Sequence, residues 1–578
     1  KEETGDVLWQ YPGGALAHVT PPDLFVNDGQ VWTLDPELKA DGNRDARLLG
    51  LGAQSGNVQV EHRLEKITHP HHHRCYRNKA TANHILLGEE GLEYVNFASG
   101  EKDVHYWLRG ACRYGIMPAN GFIYVTPHNC SCYLGTLLGG LRALKSRPTP
   151  TASDSEAEPL KKGPAYGTDA DNTAATESDW PVFRHDNQRS CHVPAALPEK
   201  LSCRWETSLG AKLTPPTVVA GDVFVASVTR HQVYGLDAET GEQTWRFTAD
   251  GPINASPSYH KGKLLFGTRK GTLYSIDAED GTLVWRRHIP PAKYSLMAQG
   301  RLESPWPLNG SCLVMDGAVY CVAGRSMNLD SGLYVSKVDV NTGELLQQIN
   351  LQADTERKGE YQGALLPDIL TSDGERVYMK SMQFNPDNLN EHTLINPVKR
   401  QGFAPNPRNV LQCSTHMTDD AWLNTCFWNY QGAQAQQLVF DSENVFGVNG
   451  PSDLGGGAFG HDVHRLGSGF HLRKWRLKDS GSEKQWKNAV PLATKAMVVG
   501  RDRLYLAGTP DETSSDGHWD RFTGKEGAGL RVVSKKKGEQ QAQYSLDAAP
   551  VYNGLAATEN AVFITLEGGS IVSFGPKN

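Results

Sequence analysis

Seven of the 20 histidines of this 578-residue chain fall between His69 and His128, and cationic and phenolic side chains are interleaved with them. His71, His72, His73, Arg74, Tyr76, Arg77 and Lys79 lie within one short stretch, and Arg109, Arg113 and His128 follow it. Removing a proton beside a uronate carboxylate takes a base, a cation or metal to hold the carboxylate, and an acid for the leaving oxygen. All of these residue types are present. The set therefore predicts β-elimination on an acidic polysaccharide, with His72 or His73 as base, Tyr76 as the paired acid/base, and Arg74, Arg77 or Lys79 neutralising the carboxylate. Arg109, Arg113 and His128 would bind substrate, and His71, His73 and His128 could hold a divalent metal, Ca or Zn. Against this, alternate residues of a strand point to opposite faces, so about half of the stretch from His71 to Arg77 can serve one pocket and the rest is structural.

Two further clusters carry usable chemistry. Aromatics beside carboxylates at His416, Asp419, Trp422 and Trp428 suit sugar stacking, or else form an insertion loop covering a face. Glu303, Trp306 and Arg325 form a third group, in which Trp306 is expected to pack beneath a loop.

The elements that position these residues are short strands. Leu236-Asp-Ala-Glu-Thr-Gly-Glu-Gln-Thr-Trp245 recurs as Ile276-Asp-Ala-Glu-Asp-Gly-Thr-Leu-Val-Trp285, a period of about forty residues that matches one four-stranded blade. Gly241 and Gly281 supply the positive φ of the turn, and Trp245 and Trp285 are placed to bury a large apolar face against the next blade. The last copy, from Ala549 to Phe574, stops before its Thr-Gly…Trp strand, and Thr4-Gly5-Asp-Val-Leu-Trp9 reads as the missing piece. The expected architecture is all-β: a single closed propeller of eight or nine four-stranded blades, with residues 1–11 clasping 549–574. Residues 1–145 carry blades and the His-rich segment, 146–178 form a flexible linker rich in Pro, Thr, Ser, Ala, Asp and Lys, and 179–578 the remaining blades.

Composition narrows the partners. A net charge of −7 without a basic block excludes a nucleic-acid footprint, and no apolar run is long enough for a spanning helix. Asp316-Gly317 is a hairpin turn that sets Cys312 opposite Cys321, which predicts a cross-strand disulfide, with two buried free thiols as the other reading. Cys413 with Cys426, and Cys191 with Cys203, have similar spacing. Together these tilt the location toward the periplasm or secretion. The chain starts at Lys1 within what reads as the end of a repeat, which implies that an upstream part, with an export signal among the options, has been removed.

The Thr-Gly…Trp units resemble the tryptophan-docking repeats of the pyrroloquinoline-quinone-like (PQQ-like) β-propeller family, and Trp180-Pro-Val-Phe-Arg184 resembles an entry motif of its bacterial members. The segments around His72–Thr81, Arg109–Gly115 and Pro127–Tyr133 resemble an uncharacterised planctomycete-type group of that family. The resemblance implies the fold but little of the function. It does not extend to a quinone enzyme: the chain has no adjacent Cys-Cys pair, which the resemblance would place beside PQQ, and no Cys-x-x-Cys-His haem attachment site. Three functional readings result. The first is an enzyme or binder acting on acidic polysaccharide, the second a non-catalytic propeller that binds glycans or a protein partner, and the third, least favoured, a quinoprotein dehydrogenase.

Overall fold

The computed structural model describes residues 3–12, 23–38, 44–64, 76–88, 91–105, 107–111, 114–126, 141–146, 159–168, 173–298, 300–353, 366–395, 398–399, 402–403, 410–413, 417, 428–450, 469–479, 481–511, 520 and 523–577. These residues form two compact units, one built on 1–148 with 354–362 and the other on 149–353 with 363–578. Among the described residues the elements are β-strands, in antiparallel sheets of mostly four strands connected in chain order.

The first unit holds three such sheets, spanning 24–64, 79–105 and 116–144. Trp9 docks on the first of them: its indole N–H donates to the Ala53 carbonyl at 2.9 Å, and its ring lies over Gly56. His62 takes the matching position one sheet on, with Nε2 2.8 Å from the Phe97 carbonyl and its ring against Gly100.

In the second unit we number eight sheets as blades: 217–248, 258–288, 313–351, 371–394, 412–435, 437–490, 492–546 and, last, 550–576. The alternating apolar strands that carry the repeat are buried on both faces, as in Val223-Phe-Val-Ala-Ser227 and Lys263-Leu-Leu-Phe-Gly267. Each repeat turn is closed by an aspartate. Asp237 Oδ1 accepts from the amides of Glu239 and Thr240 at 2.9 and 2.7 Å, and Asp339 repeats this with Asn341 and Thr342. The glycine that follows is where the tryptophan of the preceding blade lands. Trp205, Trp245 and Trp285 donate to the carbonyls of Ala238, Ala278 and Val340 at 3.0, 3.0 and 2.9 Å, each joining one blade to its successor. A Cβ at Gly281 (φ 75°) would sit 2.6 Å from the Trp245 ring, so the close approach and the backbone both require glycine. Blade 3 uses Gln347 instead, bonded to Asp387 of blade 4, and blade 6 uses Trp486 on Lys536 of blade 7.

The clasp differs from the one the sequence suggests. The outer edge of the final strand, Ser570–Pro576, is taken by Leu201–Ser208, running from the pair Leu201↔Pro576 to Ser208↔Ser570. With the preceding strand on its other side, Ser570–Pro576 has no edge left for residues 4–11, whose Trp9 is committed within the first unit. Part of the stretch read as a linker is also a strand: Leu160–Lys162 pairs with Leu283–His288 and makes blade 2 five-stranded. Leu160 packs against the apolar cluster around Trp285, and Lys162 lies 4.3 Å over the Tyr166 ring. Cys312 and Cys321 are buried free thiols rather than a bridge. The ladder of this hairpin starts at Leu313↔Tyr320, which leaves Cys312 just outside it, with its carbonyl accepting from Ser258 Oγ at 2.8 Å. Both sulfurs sit in one apolar cluster with Trp306 and Leu308, where a thiol packs as a small hydrophobe.

Candidate functional site

Among the described residues, the segment 180–193 has an unusual backbone and runs past the first strands of seven blades. Trp180 pairs with Val218 of blade 1, and the Pro181 carbonyl accepts from Tyr259 N of blade 2 at 2.7 Å. Asn187 Nδ2 donates to Val314 O of blade 3 at 2.9 Å, and its own carbonyl accepts from Ser372 N of blade 4 at 2.8 Å. The Ser190 carbonyl accepts from Phe440 N of blade 6 at 3.1 Å, Val193 N donates to Val499 O of blade 7 at 2.9 Å, and Arg184 Nη1 donates to Asn553 Oδ1 of blade 8 at 2.7 Å.

Two arginines fix this segment. Arg184 and Arg189 are buried; Arg189 spends its donors on main-chain oxygens, and Arg184 divides its donors between main-chain oxygens and Asn553 Oδ1. Arg184 reaches the carbonyls of Arg189 and Leu438 and lies 4.4 Å over the Trp428 ring. Arg189 donates twice to Leu370 O, at 3.1 and 3.0 Å, and also to Phe183 O and Asp186 O at 3.1 and 3.3 Å. Burial pushes the Arg189 guanidinium down to about 10, which leaves it charged at neutral pH. Arg184, His185, Arg189 and Cys191 all have positive φ, between 56° and 80°. Non-glycine residues in that region each cost about 1 kcal/mol and persist only where the surroundings over-determine them.

Two cavities open on this unit. One, of about 410 Å³, lies beside the crossing segment and is lined by Thr176, Val182, His185, Asp186, Tyr259 and His260, among others. His185 Nδ1 is 3.5 Å from Asp186 Oδ2, and Ser190 Oγ donates to the same carboxylate. Burial acts to raise the Asp186 carboxyl, but the His185 hydrogen bond and charge and the Ser190 bonds outweigh it and hold the group below its ordinary value. Burial lowers His260, helped by Lys261 and Lys263. The other cavity, of about 420 Å³, is on blade 2, where Lys161, Lys270, Arg286 and Lys293 converge with His288 and Asp250.

Only part of the sequence-predicted site can be placed. His71, His72, His73, Arg74, Arg113, His128, His416, Asp419 and Trp422 lie outside the described residues. Tyr76 is fully buried, its hydroxyl donating to Gly91 O at 3.2 Å and its ring wedged between Gly88 and Gly115. Arg109 is buried 5.7 Å over that ring. Arg77 is exposed, and Lys79 reaches the Arg77 carbonyl at 3.4 Å. Trp428 is fully buried, and its indole donates to Tyr552 Oη at 2.8 Å. Tyr76 and Arg109 are thus brought together, but as packing partners. Trp306 is fully buried with its indole on Asp330 O at 2.7 Å, while Glu303 pairs with Arg269 at 2.5 Å. Among the described residues no group of three or more His, Cys, Asp or Glu side chains is gathered to hold a metal, and no helix is long and apolar enough to cross a membrane. Sequence reasoning passed over the blade 2 cavity and the arginine clamp.

The profile of the family described as outer membrane protein assembly factor BamB matches residues 202–384. The alcohol dehydrogenase (quinone), dehydrogenase subunit, of Gluconobacter oxydans (strain 621H) is 27% identical over 188 residues, which is 30% of this chain and 24% of that one. The quinohemoprotein alcohol dehydrogenase of Comamonas testosteroni is 26% identical over 193 residues, 30% of this chain and 25% of its own. The chain therefore spans about a quarter of the length of these curated relatives. Among solved structures, BamB from Moraxella catarrhalis aligns with 13% identity and a TM-score of 0.39, over 66% of this chain and 98% of its own. The quinohemoprotein alcohol dehydrogenase from Comamonas testosteroni aligns with 13% identity and a TM-score of 0.45, over 70% and 82%. The four-stranded sheets and the tryptophans docked on repeat turns agree with these matches, and the chain is similar, over residues 202–384 in the profile, to the PQQ-like β-propeller repeat family.

Proposed function

We propose that the chain is an extracytoplasmic propeller, periplasmic or secreted, that binds an acidic carbohydrate without transforming it, on a ring closed within residues 201–576. The observation that carries this reading is the fate of the described catalytic candidates. Tyr76 has its hydroxyl on a main-chain oxygen and its ring between two glycines, and Arg109 is spent against that ring. A general acid must reach the leaving oxygen, and a fully buried phenol does not. Of its acid/base candidates, the β-elimination reading then keeps only His72 and His73.

A quinone cofactor does not fit the residues present. The chain lacks an adjacent Cys-Cys pair, and the fully buried arginines among the described residues are already engaged, Arg184 and Arg189 on carbonyl oxygens and Asn553, and Arg109 against the Tyr76 ring. No step is assigned to that group.

The test is to incubate the protein, with and without chelator, against uronate-containing and sulfated polysaccharides. Binding is measured together with absorbance in the ultraviolet band of an unsaturated uronate and with reducing ends. Saturable binding with both chemical signals flat supports the proposal. Both signals rising, and lost in H72A, would restore the lyase. Retained affinity for a protein partner with no glycan binding would replace the ligand class.

A further inference from the structure

We infer that the cavity on blade 2 is a built anion site for sulfate or carboxylate groups on a polymer, recognised by Lys161, Lys270, Arg286 and Lys293. This deepens the acidic-ligand reading and rests on it for the polymer, though not for the anion. The geometry begins with strand pairing. The added strand Leu160–Lys162 sets Lys161 directly across from Arg286, a like-charge cross-strand pair that costs stability when nothing bridges it. Lys270 and Lys293 enter the same cavity of about 420 Å³ from two other loops. Lys161, Lys270 and Lys293 make no ion pair among the described residues, and Arg286 makes a single 3.5 Å contact with the Tyr274 hydroxyl.

The one carboxylate in the lining does not neutralise them. Asp250 accepts from Thr268 Oγ1 at 2.7 Å on one oxygen and from Thr272 Oγ1 at 2.6 Å on the other, so each oxygen already has a neutral donor from blade 2. Four cations thus face one carboxylate. The stem of Lys270 is seated on Gly251, where a Cβ would come within 2.7 Å of its Cγ, which limits its freedom to turn away. Arg286 offers a planar fork and the lysines offer mobile point charges, the combination that grips a multiply charged oxyanion. Tyr294, half-buried in the lining, adds an aromatic edge suited to a sugar ring.

The experiment uses the full chain and three probes: inorganic pyrophosphate, a size-defined sulfated oligosaccharide and a size-defined uronate oligosaccharide. Titration calorimetry compares wild type with the variants K270A/R286A and K161A/K293A, and with K200A/K212A as a charge-matched control away from the cavity. The expected result is at least a tenfold weaker Kd in each cavity variant, a steep loss of wild-type affinity between 50 and 200 mM salt on the order expected for released counterions, and no change in the control. K161A/K293A alters two exposed side chains, so it keeps the test open if K270A/R286A unfolds. Wild-type oligosaccharide binding that both cavity variants retain overturns this site while leaving the acidic-carbohydrate reading intact. Pyrophosphate binding lost in the variants, with no oligosaccharide bound by wild type, upholds the anion site and removes the carbohydrate. Equal losses in the control would reduce the effect to net charge and overturn the site.

Discussion

Replacing Arg189 by methionine tests whether segment 180–193 is a clamp. The methionine keeps the apolar stem and removes every donor. Two of the oxygens left behind, Leu370 O and Phe183 O, belong to different parts of the unit, and the first receives two bonds, at 3.1 and 3.0 Å. Each buried carbonyl left unsatisfied costs about 1–3 kcal/mol, and bonds from a charged donor sit at the upper end. The opposing effect is real: a desolvated guanidinium carries a penalty of several kcal/mol that methionine does not. Against that, the Arg189 donors are spent on carbonyl oxygens, and removing them strands acceptors from blade 4 and from the segment itself. The orphaned acceptors should win, leaving R189M about 3 kcal/mol less stable, with R189K between the two. Urea unfolding followed by tryptophan fluorescence reads this as a lower midpoint at unchanged slope. A midpoint within about 0.5 kcal/mol of wild type would show that the carbonyls find other donors and that the strained φ values are held by something else.

Other outcomes follow from the same geometry. Trp285 is fully buried with its indole on Val340 O at 2.9 Å, so W285A should cost about 4 kcal/mol and W285F about 1–2 kcal/mol by thermal denaturation. Asp441 is buried and paired with Lys535 at 2.6 Å; burial acts to raise its carboxyl, and the Lys535 hydrogen bond and charge with two amide bonds bring it below 3.8. Its folded value is thus below its unfolded one, so its contribution is full above about pH 4 and is lost as pH falls through the folded value. D441N should cost about 3 kcal/mol at pH 7 and flatten the acid limb of a stability-against-pH curve. The thiols of Cys191 and Cys312, pushed by burial up to about 12, should stay unreactive toward a thiol-disulfide reagent in the native protein and react on unfolding; rapid native labelling would contradict their burial.

The blades were legible where one repeat carries its own turn and tryptophan. Asp277, Gly281 and Trp285 state locally what each does, because an aspartate-closed turn and a docked indole are short-range chemistry. The clasp was not. Thr4–Trp9 and Leu201–Ser208 each carry a tryptophan, and the sequence pattern does not say which of the two segments pairs with residues 570–576. The arginine clamp showed in the sequence only as the entry motif Trp180–Arg184, since positive φ at Arg184, His185 and Arg189 carries none of the glycine signal that marks such turns. The cationic cavity is assembled from positions 161 to 293 by strand pairing and loop placement, and the stretch holding Lys161 is too short to show a period. Histidine density pointed instead to a region whose described tyrosine and arginine pack against each other.

The pairing of Leu201–Ser208 with Ser570–Pro576 has a consequence in time. A ribosome, or an export channel, delivers residues 201–208 early and residues 570–576 last, so one sheet edge waits through the synthesis of the seven intervening blades. Contacts of such separation are formed late and slowly, and an unpaired strand edge is open to association with another chain while it waits. The last blade is thus a checkpoint of chain completion: a truncated product leaves Leu201–Ser208 with an open edge, and quality-control proteases or holding chaperones would meet that edge first.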